Sequence, residues 1–184
     1  MSEIHIRLPT PSEQNDPAFI QHVVTLINEA YHETESKLYK PGQRRTDTAE
    51  VRKWLASGHF YLAFGPRATY PVGSVNVPKI EPGISDLGVL TVHRDARSLG
   101  LGRRLAAHAD AVAIADGSKT MRLELLFPKP PQTHEFKSYL RRFYVSLGFE
   151  VVGRAAIADV VPQIASSFED GSEFLVMEKS LERS

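Results

Sequence analysis

"LGVLTVHRDARSLGLGRRLAAHA", residues 87–109, is the stretch on which the fold turns. The β-branched run "DLGVLTV" (86–92) predicts a strand, and "RSLGLGRRL" (97–105) follows with Arg97, Gly100 and Gly102. Leu101, Leu105, Ala109 and Val112 then recur at helical spacing, to a stop near "DGSKT". A strand running into a glycine turn that opens a helix has a chemical use. Glycines let the backbone approach an anion with no Cβ in the way, and the free N–H groups and positive dipole end of the helix face it. Arg97, Arg103 and Arg104 can add charge-assisted hydrogen bonds to phosphate oxygens. The same spelling also makes a plain sharp turn with solvated arginines, and the stretch alone does not choose.

Upstream, "IHIRL" (4–8) alternates as a strand does, and "PTPSEQNDP" reads as a turn. Asp16 and Pro17 begin a helix carrying Phe19, Val23, Leu26, Ile27 and Ala30 on one face. "YHETESKLYKPGQRRT" reads as a connection, after which Asp47 caps a second helix with Val51, Trp54 and Leu55 inward and Gly58 at its stop. "HFYLAFG" (59–65), "VGSVNVPKI" (72–80) and 86–92 suggest an antiparallel meander. Downstream, "MRLELLF" (121–127) is a strand, and a helix from about Thr133 places Leu140, Phe143, Tyr144 and Leu147 on one face. "FEVVG" and "EFLVMEKSL" (173–181) complete the order β-α-α-β-β-β-α-β-α-β-β, an α/β domain with a mixed sheet. One domain is expected over all 184 residues, since no interior linker divides them.

Lys+Arg and Asp+Glu balance at 22 each, so charge does not favour nucleic acid or an anionic membrane as partner. No cysteine is present, which removes disulfides, thiolate nucleophiles and thiolate metal sites and fits a reducing compartment. With no leader-like N-terminus and no apolar span, the expected location is the cytoplasm. The histidines lack metal-ligand spacing, so no metal is expected. Other phosphate loops fit poorly. The Gly-Lys-Ser/Thr ending of a Walker A loop is missing, and a Rossmann dinucleotide loop would want a small residue where Leu105 stands, although Glu124 lies where a ribose-binding carboxylate is expected.

Three segments in order, 87–109, "MRLELLF" and "FYVSLGFEVVG", together resemble the GCN5-related N-acetyltransferase (GNAT) superfamily, with "FLVMEKSL" similar to its closing strand. The resemblance implies a GNAT-like fold whose fourth strand bulges and splays from the fifth. It implies acetyl-CoA as co-substrate, its pantetheine arm entering that gap against the backbone of Leu90, Thr91 and Val92. Pyrophosphate would rest on the backbone of Ser98, Leu99, Gly100, Leu101, Gly102 and Arg103, with Arg97 shaping or contacting the loop. The reaction implied is direct transfer of acetyl to a primary amine, which needs a base for the amine and a proton for the thiolate. By the resemblance Tyr144 protonates the sulfur; the plain alternative is a core tyrosine. Glu124 is the candidate base, or else half of a salt bridge with Arg122; Asp86 competes with it and His93 stands third. "PKPPQTHEF" replaces the family's asparagine loop, where Lys129 could meet a phosphate.

For the acceptor, a small molecule or peptide, "AYHETESKLYKPGQ" (30–43) offers Tyr31, Glu33, Glu35 and Tyr39 to a cationic amine. The long stretch 155–171, with acidic Glu169 and Asp170, is expected to be a lid or a homodimer contact. A non-catalytic acyl-CoA-binding module and a Rossmann-type enzyme are the alternatives.

Overall fold

A computed structural model describes residues 4–35 and 37–182; the side chains of Ser98 and Leu99, both expected at the cofactor, lie outside that description. Strand β1 (His5–Arg7) pairs antiparallel with β2 (Phe60–Phe64), β2 with β3 (Gly73–Asn76) and β3 with β6 (Gly88–Val92). A second sheet runs β4 (Lys79–Glu81), β5 (Ile84–Asp86), β7 (Thr120–Pro128), β9 (Ser172–Ser180), β8 (Glu150–Ala155), with only β5 and β7 parallel.

Two strands expected to be continuous are therefore divided between the sheets. The stretch 72–80 breaks into β3 and β4 at Val77 and Pro78. Proline has no N–H for a ladder, so pairing cannot run through it. The chain reverses at Pro82 and Gly83 (φ +80°), and Ile84 and Ser85, expected in the turn, already belong to β5. At Leu87 it changes sheets again: the Leu87 N–H donates to the Arg122 carbonyl at 2.8 Å, after which β6 leaves β7 and returns to β3. The two sheets thus meet at one end and part beyond it.

Before the sheets come α1 (Pro11–Asn15), α2 (Pro17–Glu35) and α3 (Thr48–Ala56). The first was expected to be a turn. Thr10 and Glu13 form a reciprocal capping box there, and Thr10-x-x-Glu13 was its legible signature. Asp47 accepts the Glu50 N–H at 2.8 Å to start α3, and Gly58 (φ +75°) follows its end. Along β2, Phe60, Leu62 and Phe64 pack with Phe19, Ile20, Val23 and Ile27 of α2, while Ala63 packs on the other face with Leu101 and Leu105 of α4 (Leu101–Ala115). Helix α5 (Glu135–Val145) closes that second face with Tyr144. Among the described residues no helix is long and apolar enough to cross a membrane.

Candidate active site

The parting of β6 from β7 opens a cavity of about 660 Å³. Its shape begins with one residue. Ser74 pairs with Thr91 and Asn76 with Gly88, so Val75 alone on β3 faces Val89 and Leu90 on β6. Val89 takes φ +49°, a left-handed conformation that a β-branched side chain rarely adopts. The hydroxyls of Ser74 and Thr91 both donate to its carbonyl, at 3.0 and 3.3 Å, and hold the bulge. A β-bulge bends its strand, and here the bend carries β6 away from β7. Leu90, Thr91 and Val92 line the opening.

Beyond β6 a 3-10 turn (Arg94–Leu99) leads to Gly100, which caps α4 at φ +70° without a side-chain hydrogen bond. Gly102 sits against Phe143, whose Cζ would lie 3.4 Å from an added Cβ. Arg97, Gly100, Gly102 and Arg103 line this end of the cavity. Leu101 does not: its side chain is fully buried against Gly73, so only its backbone can serve a ligand. Arg103 donates to Ser146 Oγ at 2.8 Å. Arg104 points elsewhere, donating to the Ile4 carbonyl at 2.7 Å, and is not among the cavity-lining residues. Arg97 bonds the Val92 carbonyl and, at 2.7 Å, Glu33.

Glu33, expected as an acceptor contact, is instead paired with Arg97 and is not among the cavity-lining residues. Helix α2 continues through this segment and presents Glu33 to Arg97 at the cavity's edge, while Tyr31 and Glu35 line the cavity. Tyr39 also faces in, its ring 4.5 Å from that of Phe168. The 155–171 stretch folds into α6 (Ile157–Val160) and a 3-10 turn (Pro162–Ser167), which is pinned to 38–40 by Lys40 N–H to Ser167 O and Glu169 N–H to Leu38 O, both 2.9 Å. Its Val160, Ile164 and Phe168 form a cavity wall; Glu169 and Asp170 are exposed and outside it. His93 caps the 3-10 turn, accepting from Asp95 N–H, and Lys129 is exposed; neither reaches the cavity.

Tyr144, 8% exposed, lines the cavity and packs on Phe149. Burial raises its pKa, with the neighbouring Tyr31, Glu35 and Asp86 adding to the effect, so the phenol keeps its proton. Asp86 and Glu124, from adjacent strands β5 and β7, share a wall. Desolvation pushes Asp86 up to about 7; the charge of Glu124 adds to that, while the Leu87 N–H and Arg122 oppose it. Glu124 is also raised, chiefly by desolvation. It forms no salt bridge among the described residues, because Arg122 pairs with Glu81 at 2.9 Å and Glu178 at 2.7 Å instead.

Among the lining residues that the sequence reading did not single out are Lys137 and Arg45. Lys137 is fully buried and paired with Glu35. It lies three residues before Leu140 and seven before Tyr144, and that inward stripe was the signal that could have found it. Arg45 lies in the connection before α3 and faces the cavity. No cluster of three potential metal ligands occurs among the described residues.

The fold matches solved acetyltransferases closely. An aminoglycoside 6'-N-acetyltransferase complexed with coenzyme A aligns with a TM-score of 0.68 at 16% identity, over 98% of each chain. The PaiA N-acetyltransferase of Thermoplasma acidophilum, in complex with coenzyme A, gives 0.64 at 18% identity over 97% of this chain and 99% of its own. Ard1 of Thermoplasma volcanium gives 0.64 at 16% over 98% and 99%. No curated protein matches the sequence. The antiparallel β3–β6 pairing is foreign to a Rossmann sheet, and that alternative falls. The sequence profile of the acetyltransferase (GNAT) family matches residues 26–149, from α2 through the cavity strands to the end of α5, and the chain belongs to that family.

Proposed function

We propose that this chain transfers the acetyl group of acetyl-CoA to a primary amine of a small molecule or peptide, directly within a ternary complex. The observation that carries this reading is the cavity where bulged β6 leaves β7, with a protonated phenol and a carboxyl of pKa about 7 on its walls. The co-substrate supplies the thioester. The exposed edge left by the bulge suits an extended pantetheine arm, and the α4 N-terminus, with Gly100 and Gly102, suits its pyrophosphate beside Arg97 and Arg103. Asp86 takes the proton that the amine loses on attacking the carbonyl carbon, with Glu124 raising its basicity. As the C–S bond breaks, Tyr144 gives its proton to the sulfur. The absence of cysteine removes an acyl-thiol intermediate and favours the direct route.

Asp86 also favours turnover over a mere binding module. A carboxyl held near neutral pKa by burial is matched to proton transfer, whereas binding CoA gives it no task. The test is incubation of the protein with acetyl-CoA and pooled primary amines, reading free thiol. Release that depends on an amine is expected; acetyl-CoA binding with no release from any pool would leave the binding module standing instead.

A further inference from the structure

The acceptor end of the cavity carries a cation in an unusual state. Arg45 is held from behind: Asn28 Oδ1 accepts the N–H groups of Arg45 and Thr46 at 2.9 and 3.1 Å, and Asn28 Nδ2 donates to the Thr46 carbonyl at 2.9 Å. The guanidinium then lies over Tyr31, 5.1 Å from its ring centroid, and 5.8 Å from that of Trp54. Among the described residues its nearest carboxylate is Glu50 at 3.9 Å, beyond hydrogen-bond reach. Glu50 accepts instead from Thr46 Oγ1 at 2.7 Å. The neighbouring Glu35 is hydrogen-bonded to Lys137 and acts on Arg45 through its charge alone. Among the described residues, Arg45 thus presents a positioned fork of donors to the cavity with no carboxylate hydrogen-bonded to it, although Glu50 lines the cavity beside it.

Asp86 and Glu124 line the same cavity as Arg45, and Tyr31 lines it too, beneath the Arg45 guanidinium. One end therefore suits an amine and the other an anion. A plain cationic amine cannot use the face of Tyr31 that Arg45 already covers, and a polyamine would meet like charge there. A guanidinium matches a carboxylate in two parallel hydrogen bonds. Ile164 and Phe168 supply an apolar wall beside Tyr39 for the rest of the molecule.

We infer that the acceptor is a small zwitterion of the amino-acid type, its primary amine placed at Asp86 and its carboxylate, or a like anion a few bonds away, bound by Arg45. The role given to the amine rests on the transferase reading above; the anion site does not.

The test uses three pools: free α-amino acids, their α-amides, and the corresponding decarboxylated amines, each with acetyl-CoA and thiol detection. The amino-acid pool is expected to give the highest kcat/KM. Arg45→Gln should lower it at least about tenfold more for amino acids than for amides, the scale of one charge-assisted hydrogen bond. Arg45→Lys, which keeps the charge, should recover part of that loss, and circular dichroism checks that both variants fold. Leading activity with amides or decarboxylated amines would overturn the zwitterion while leaving amine acetylation intact; amides leading would point to peptide N-termini. If no pool releases thiol, amine acetylation fails and binding decides the anion site. A thermal shift of the wild type by the amino-acid pool, lost in Arg45→Gln, supports the site, and no shift overturns it.

Discussion

Desolvation shifts Asp86 and Tyr144 in one direction, and the proposed transfer gives them opposite tasks. Desolvation raises both, which leaves the phenol protonated as a donor and brings the carboxyl into the range of a base at neutral pH. Tyr144→Phe should lower kcat about a hundredfold while changing the acetyl-CoA dissociation constant little, read by steady-state kinetics and equilibrium titration. With Asp86 at about 7, kcat/KM should rise with pH through that value as the carboxylate forms, and Asp86→Asn should remove that limb. Glu124 provides a sharper test. Its charge disfavours ionisation of Asp86, so Glu124→Gln should move the limb to lower pH rather than abolish it; loss of the limb would make Glu124 the base. The alternation in "MRLELLF" showed that Glu124 opposes Leu123 and Leu125. Its lack of an arginine partner depends on Glu81 and Glu178, from strands distant in the chain.

At the scale of elements, the start of α4 does two jobs with two glycines. Gly100 supplies a left-handed cap, and Gly102 lets α4 approach α5 at Phe143. Gly100→Ala should cost about 1–2 kcal/mol of stability, because a Cβ is strained at φ +70°, and denaturant titration measures it. Gly102→Val should weaken acetyl-CoA binding with the fold still visible by circular dichroism, since its branches crowd Phe143 and the helix N-terminus together. Helix faces and the glycine turn were legible because helical period and backbone need are local. The sheet change at Pro78 and Leu87 was less so: "VGSVNVPKI" and "DLGVLTV" read as continuous strands, and only the carbonyl of Arg122, waiting on β7, shows where the second one divides.

For the whole molecule, the site sets a condition on stability. The unfolded pKa of an aspartate is about 3.9, and in the folded chain Asp86 is raised to about 7, so the folded state holds this proton more tightly. Its contribution to stability is full below about pH 4 and is lost as pH rises through 7. Asp86→Asn should therefore melt like the wild type near pH 4 and at a higher temperature at pH 8, in a thermal scan across pH. The Lys137–Glu35 pair joins α5 to the end of α2 in the interior. Lys137→Met strands a buried carboxylate and should cost about 3–5 kcal/mol; Lys137→Met with Glu35→Leu should recover most of it, by chemical denaturation.

The sequence by itself determined the four longer helices, the glycine turn, the tyrosine after Phe143 and the place of Glu124, because each follows from spacing along one element. Tertiary structure alone decided which charges remain available. Whether Glu33 meets a ligand or Arg97, and whether Arg122 neutralises Glu124, depend on partners distant in the chain. Coulomb and hydrogen-bond energies fall steeply with distance in space, and distance along the chain does not report it.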